Sequence, residues 1–467
     1  MLQKHSSDTK FKIGLTHDLI SFRNEIDYVL SVLNKWLNID FAVIDDKKSF
    51  DLEILYGNNF TERSNSVIIH EEFFSKYVIK NDDGLTIDRS SLKKIIKYAK
   101  NVKYSQEEIF VLFLKKDCEL LEYDQIKNSY KINFDFLGLI FFYITRIEEL
   151  HYESHDHIHR FPLSESIISK LGIEKRATVD EAFCLFKDVI GHYVKLPSTP
   201  KMRVHLTHDV DRLRSYHGYY SLFREKIGQV IKRKLSISRY CSDIYHKLSS
   251  KEPRKSFELL MDLSEAYDVK STFLFLPYSK HPNDATYTVR FKKDFLDVVS
   301  SIKKRGHNIG LHPGWGTYNN HDEFLRQKSF LERLISQKVN VCRQHILRWN
   351  PRTWKIQSDC GIKTDYTLAY PDGIAFRSQT TKSYPAYDLA NRITLPLNVM
   401  PTSIMEFALF MDKYKKIPKN KVYYDIENCV YLHKKYGGDL VILFHTVTVM
   451  ELINEYKKTL DIVFNYK

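Results

Sequence analysis

The chain has little cysteine, and what it has follows no pattern. Its six cysteines (Cys118, Cys184, Cys241, Cys342, Cys360, Cys429) include no Cys-x-x-Cys pair, which excludes a zinc ribbon and favours reduced thiols over a disulfide framework. Glycine and proline are sparse, at 16 and 13 in 467 residues, so fibrous and low-complexity architectures are excluded. Long apolar runs are missing too. The run from Phe136 to Ile144, FLGLIFFYI, is about half the length that spans a bilayer and reads as a buried helix. The opening MLQKHSSDTKFKIG lacks the apolar core of a secretory signal. These absences together lead us to expect a cytoplasmic protein.

What is present is an ordinary globular balance, 43% hydrophobic and 28% charged, in a chain long enough for more than one core. The net charge of +13 is unevenly spread: residues 212–255 hold twelve Lys and Arg against three Asp and Glu. A basic strip of this kind attracts phosphates. We expect it to meet a phosphate-bearing carrier, or the inner face of the membrane as a peripheral contact. No motif for reading bases accompanies it, so nucleic acid is not an expected partner.

The Pro/Ser linker KLPSTPK (195–201) marks a boundary. Upstream, NEIDYVLSVLNKWL (24–37) has helical spacing with Asn24 as its cap, and DLEILYG (51–57) alternates like a strand. The stretch HYESHDHIHRFP (151–162), rich in histidine, reads as a solvated loop. Downstream, helical and strand patterns alternate: 257–267 before 271–276, 291–306 before 308–312, 323–337 before 339–345, 353–361 before 364–370, and 426–438 before 440–445. That alternation predicts a parallel sheet or β/α barrel, in which chemistry gathers at the C-terminal ends of the strands. Those ends carry His208-Asp209-Val210-Asp211, His312, Arg343-Gln344-His345, Tyr370-Pro371-Asp372 and His445. Histidines and aspartates converging on one mouth supply the ligands and the acid–base pair of a divalent-metal hydrolase.

These stretches resemble the polysaccharide deacetylases, the NodB-homology carbohydrate esterases related to family 4. The resemblance runs through HLTHDVDR (205–212), YDVKSTFLFLP (267–277), KKRGHNIGLHPGW (303–315), CRQHILRW (342–349), DYTLAYPDGIAFR (365–377) and LVILFHT (440–446). They occur in family order and cover roughly 201–467. The resemblance implies a distorted (β/α) barrel over 201–467 with a basic insertion at about 212–255. Residues 1–195 resemble the uncharacterised domain that precedes a divergent subset of the family, notably in FYITRIEELHYESHDHIHRFP (142–162), and are expected to be a separate α+β domain.

The implied activity is metal-dependent removal of an N-acyl group from a sugar in surface-polysaccharide or glycolipid biosynthesis. By resemblance Asp209 is the general base, Asp211 and His312 hold a divalent metal such as zinc, Arg343 keeps the base ionised, and His445 is the general acid. Two departures stand out. Val210 separates acids that the family places side by side, although i and i+2 on a strand share a face. Where the family has a second histidine ligand, this chain has Gly316. Of the candidates for the missing ligand, His345 is preferred because its strand enters the same mouth. His208 should face away, and His321 is a third choice; His307 reads as a hydrogen-bonded loop histidine. Asp365 or Asp372 could orient His445, and Trp315 and Trp349 could line a sugar cleft. If the missing ligand is not replaced, the alternative is a catalytically inactive carbohydrate-binding protein. The tetrapeptide LTHD also occurs at 15–18, where Ile20 replaces the second acid, and Asp18 reads there as a turn residue.

Overall fold

A computed structural model describes residues 4–5, 11–39, 41–42, 52–58, 60–150, 156, 158–214, 252–279, 281, 284, 287–411 and 417–466. Most of the basic strip, residues 215–251, and His151, His155 and His157 therefore lie outside the described residues.

Two sheets dominate. The first runs in the order Leu121–Asp124, Ser129–Ile132, Ser66–Ile69, Leu52–Tyr56, Phe11–Leu15, Phe41–Ala42. Its strands are parallel except for the hairpin at 121–132. Every residue of Leu52–Tyr56 and Ser66–Ile69 is buried, as expected for parallel strands covered on both faces. The helix Phe136–Thr145 is buried at every position, matching its uninterrupted apolar run. Asp135 caps it, accepting from Gly138 N at 2.7 Å, and Arg146 ends it in the left-handed region at φ 56°. Asn24 is not a cap: a 3₁₀ turn, His17–Phe22, leads directly into the helix Arg23–Leu37, so the helical path begins before the apolar periodicity does.

The second sheet has nine strands, in the order Tyr384–Asp388, Ile393–Val399, Thr364–Asp365, Val341–Cys342, Asn308–Leu311, Thr272–Phe275, Arg203–Val210, Asp439–Leu443, Thr402–Met405. It curls into a half-barrel and is parallel apart from the pairing of 384–388 with 393–399. Register levels its C-terminal ends: Val210 pairs with Phe275, Phe275 with Leu311, and Leu311 with Cys342. On the other flank Thr207 and Met405 both pair with Leu443. Residues that follow these strands therefore share one rim.

The two sheets are joined more closely than a linker between independent domains requires. Tyr28 OH donates to Pro385 O at 2.8 Å, and Trp36 Nε1 to Ser383 O at 3.0 Å. Asp180 accepts from Thr380, Thr381 and Lys382. Glu149 is clamped between Arg146 and Arg377, all three buried. Apolar residues of both parts form one continuous core. No helix among the described residues is long and apolar enough to cross a membrane.

Candidate active site

The strand Arg203–Val210 sets the floor of the site. Thr207 and Asp209 face the interior, where both meet Arg343, while His208 points to the other face. There His208 Nδ1 donates to Phe444 O at 2.9 Å and Nε2 lies 3.0 Å from Ser271 Oγ. The alternation that kept His208 out of the site is the same one that brings Asp211 into it.

Asp211, His312 and His345 each offer an atom, and these lie within 4.8 Å of one another. His312 Nδ1 donates to Arg343 O at 2.6 Å, and His345 Nδ1 to Asp284 Oδ1 at 2.9 Å. Because both acceptors fix the proton on Nδ1, both Nε2 atoms present lone pairs. They lie 3.3 Å and 4.0 Å from Asp211 Oδ1, which is buried and makes no hydrogen bond among the described residues. An orphaned carboxylate oxygen facing two imidazole lone pairs fits a divalent cation, and two histidines with one carboxylate are a zinc-type donor set. Two carboxylates also act on His312. Burial disfavours its charged form, but Asp209 and Asp211 outweigh that and raise its pKa above the ordinary histidine value. Protons and metal thus compete for the same Nε2.

Asp209 is buried, with Oδ1 2.8 Å from Arg343 Nη1 and Oδ2 3.7 Å from His312 Nε2. Burial would raise its pKa, but Arg343, then His312 and His445, more than offset it and hold the carboxyl below its usual range. Arg343 is itself fully buried and fixed by Thr207, Thr402 and Tyr366. His445 approaches from the strand Asp439–Leu443, its Nε2 4.0 Å from Asp209 Oδ2 and 3.9 Å from Asp211 Oδ2.

Glu406 orients His445, contrary to the expectation of Asp365 or Asp372. Its Oε1 accepts from His445 Nδ1 at 2.6 Å, from His445 N at 2.8 Å and from Thr448 Oγ1 at 2.8 Å. Burial works against a charged His445, but Glu406, Asp211 and Asp209 prevail and raise its pKa to about 9 in the metal-free chain. Asp365 instead accepts from Trp354, Gln357 and Thr367 inside the core, and Asp372 is exposed.

The remaining candidates fall away from the metal-capable cluster. His321 is half-exposed beside Asp322, and His307 lies against Ser271 N and Glu265. Gly316 caps a 3₁₀ turn with open space around it. Trp349 packs on Trp354 in the core, while Trp315 stacks on His281 beneath Arg348. Neither lines the cavity over Asp209, Asp211 and His445, which is walled by Ile346, Leu347, Pro371, Met405, Phe407 and Leu443, with Ile158 and Arg160 from the N-terminal part. Asp18 of the first LTHD is exposed on its 3₁₀ turn.

Sequence reasoning missed Asp284, Glu406 and Arg160. Glu406 follows an edge strand with no preceding helix pattern. Asp284 stands in a patternless loop, and Arg160 lay in a stretch read as solvated.

Comparison with known proteins gives a matching family model over residues 16–195, a family of unknown function (DUF7033). No curated protein matches the chain. Among solved structures, a Mycobacterium smegmatis protein assigned to the polysaccharide deacetylases shares 16% identity over 59% of this chain and 87% of its own, at a TM-score of 0.39. A polysaccharide deacetylase from Bacillus cereus shares 13% over 45% and 80%, at 0.26. A CE4 family pseudoenzyme from Bacillus anthracis shares 12% over 56% and 62%, at 0.28. Two of these neighbours are assigned to the polysaccharide deacetylases and the third is a pseudoenzyme of the CE4 family, all at low identity and partial coverage; with TM-scores this low, the chemistry of this chain is read from its own residues.

Proposed function

We propose that the chain is a metal-dependent hydrolase that removes an N-acyl group from a sugar used in surface-polysaccharide or glycolipid synthesis. The observation that carries this reading is the convergence of Asp211, His312 and His345 within 4.8 Å, beside a base–arginine pair and an acid–carboxylate pair. Asp211, His312 and His345 would hold the ion, proposed to be zinc. When bound, such an ion supplies Lewis-acid chemistry, polarising the acyl carbonyl and acidifying water.

The protein's own residues divide the proton work. Asp209, kept ionised by Arg343, accepts the proton of the attacking water. His445, kept protonated by Glu406, delivers a proton to the departing amine nitrogen. A base held below the carboxylate range and an acid raised to about 9 are the opposed pair that general acid–base catalysis needs near neutrality. The apolar wall of Leu347, Met405, Phe407 and Leu443 excludes water from the acyl side and strengthens these charge interactions.

The test is release of acetate or formate from N-acylated sugars by the zinc-loaded chain, compared with Asp209→Asn. We expect release by the wild type and a loss of at least about 10²-fold in the variant, the usual scale for a general base. Equal rates would contradict the assignment of the base. No release from any N-acylated sugar tested would favour an inactive binding protein.

A further inference from the structure

We propose that Arg160 reads the substrate by pairing with an oxyanion, a carboxylate or a phosphate, carried by the acylated sugar. The N-terminal part of the chain then supplies one wall of the active site. This rests on the deacylase reading of the mouth and adds a substrate class to it.

Position comes first. Ile158 and Arg160, from the segment between the buried helix Phe136–Thr145 and the turn Leu163–Glu165, line the same cavity as Asp209, Asp211 and His445. Arg160 is held from behind: Nε donates to Asp156 Oδ2 at 2.8 Å and Nη1 to Ile346 O at 3.2 Å. Asp156 also accepts from the backbone N–H groups of Ile158 and Arg160, so its carboxylate holds both the backbone and the side chain of Arg160. Among the described residues, Arg160 Nη2 has no partner. Nη2 is therefore the guanidinium nitrogen left to donate to a carboxylate or phosphate, with the charge of the whole group behind it.

The surroundings give that free donor meaning. The wall next to it is apolar, with Pro371, Met405 and Phe407, which strengthens a charged pairing made against it. Arg160 is not needed to balance Asp209, which Arg343 already pairs. Its anchor Ile346 sits at φ 54° and the next residue, Leu347, at φ 58°. A β-branched residue in the left-handed region is strained, and such strain gathers at ligand sites. A second cavity, between Asp156, Phe161 and Asp372, adjoins Arg160 and shares it and Pro371 with the first. A substrate reaching past the acyl sugar would pass this guanidinium.

The experiment is calorimetric titration of full-length, zinc-loaded Asp209→Asn, in which chemistry is silenced, with three ligands. These are N-acetylglucosamine, N-acetylglucosamine 1-phosphate and an N-acetylated aminouronic acid. At least one anionic ligand should bind about tenfold tighter than the neutral one, the scale of a charged hydrogen bond, and the one preferred separates phosphate from carboxylate. Adding Arg160→Gln should erase the preference and leave the neutral sugar unchanged. Arg160→Lys, which keeps the charge beside Asp156, should retain part of it. Equal binding of all three ligands, binding of none, or a preference that survives Arg160→Gln overturns the proposal. So does an equal weakening of all three, which is what a purely structural Asp156–Arg160 pair would produce. Because the readout is binding, failure of acyl release would sink the deacylase reading without deciding this one.

Discussion

At the scale of single residues, the site works through pairs in which one member sets the state of the other. Arg343 does this for Asp209, and Asp284 for His345. Glu406 does it for His445, and that pair yields a direct prediction. In the metal-free chain His445 stands at about 9 because Glu406, Asp211 and Asp209 overcome a burial term that disfavours its charge. In Glu406→Gln the charge opposite Nδ1 is gone and burial remains, so an NMR titration should find His445 titrating well below about 9. The sign carries over to stability. A raised histidine pKa stabilises the fold fully below the unfolded value, and that contribution is lost as pH rises through about 9. An unchanged titration in the variant would mean that Glu406 does not orient His445.

At the scale of elements, the helix Phe136–Thr145 and the turn after it connect the core to the mouth. Arg146 leaves the helix in the left-handed region and donates to Glu149 at 2.8 Å, to Glu148 and to Arg377 O. Arg377 closes the cluster on Glu149 at 2.5 Å. Glu149→Gln removes the charge between two buried guanidiniums. Arg146 keeps Glu148, but leaving the buried Arg377 without its carboxylate should cost about 3–5 kcal/mol of unfolding free energy, read by urea denaturation of the full chain. A loss below about 1 kcal/mol, the range of an exposed pair, would show that the cluster does not hold the two sheets together.

At the scale of the whole molecule, the alternation of helix and strand from 257 onward made the parallel sheet legible, because buried parallel strands and their crossover helices leave strong periodic patterns. Asp209, Asp211, His312, Arg343, His345 and His445 were legible for the same reason: each sits at the end of such a strand. Asp284, Glu406 and Arg160 were not, since loops and an edge strand carry no period, and their roles exist only through contacts across long stretches of chain. The union of the two sheets was hidden as well. A core shared by residues on both sides of the linker at 195–201 leaves no local trace in sequence.

The central claim is that His345 replaces the ligand absent at Gly316 and completes a metal site with Asp211 and His312. Mass-spectrometric metal analysis of the purified, dialysed full-length chain tests it most directly. The account predicts about one divalent ion per chain, zinc by donor set, lost in His312→Ala and His345→Ala and kept in His321→Ala. A chain that binds no stoichiometric metal, or one that keeps it in His345→Ala and loses it in His321→Ala, would contradict the account.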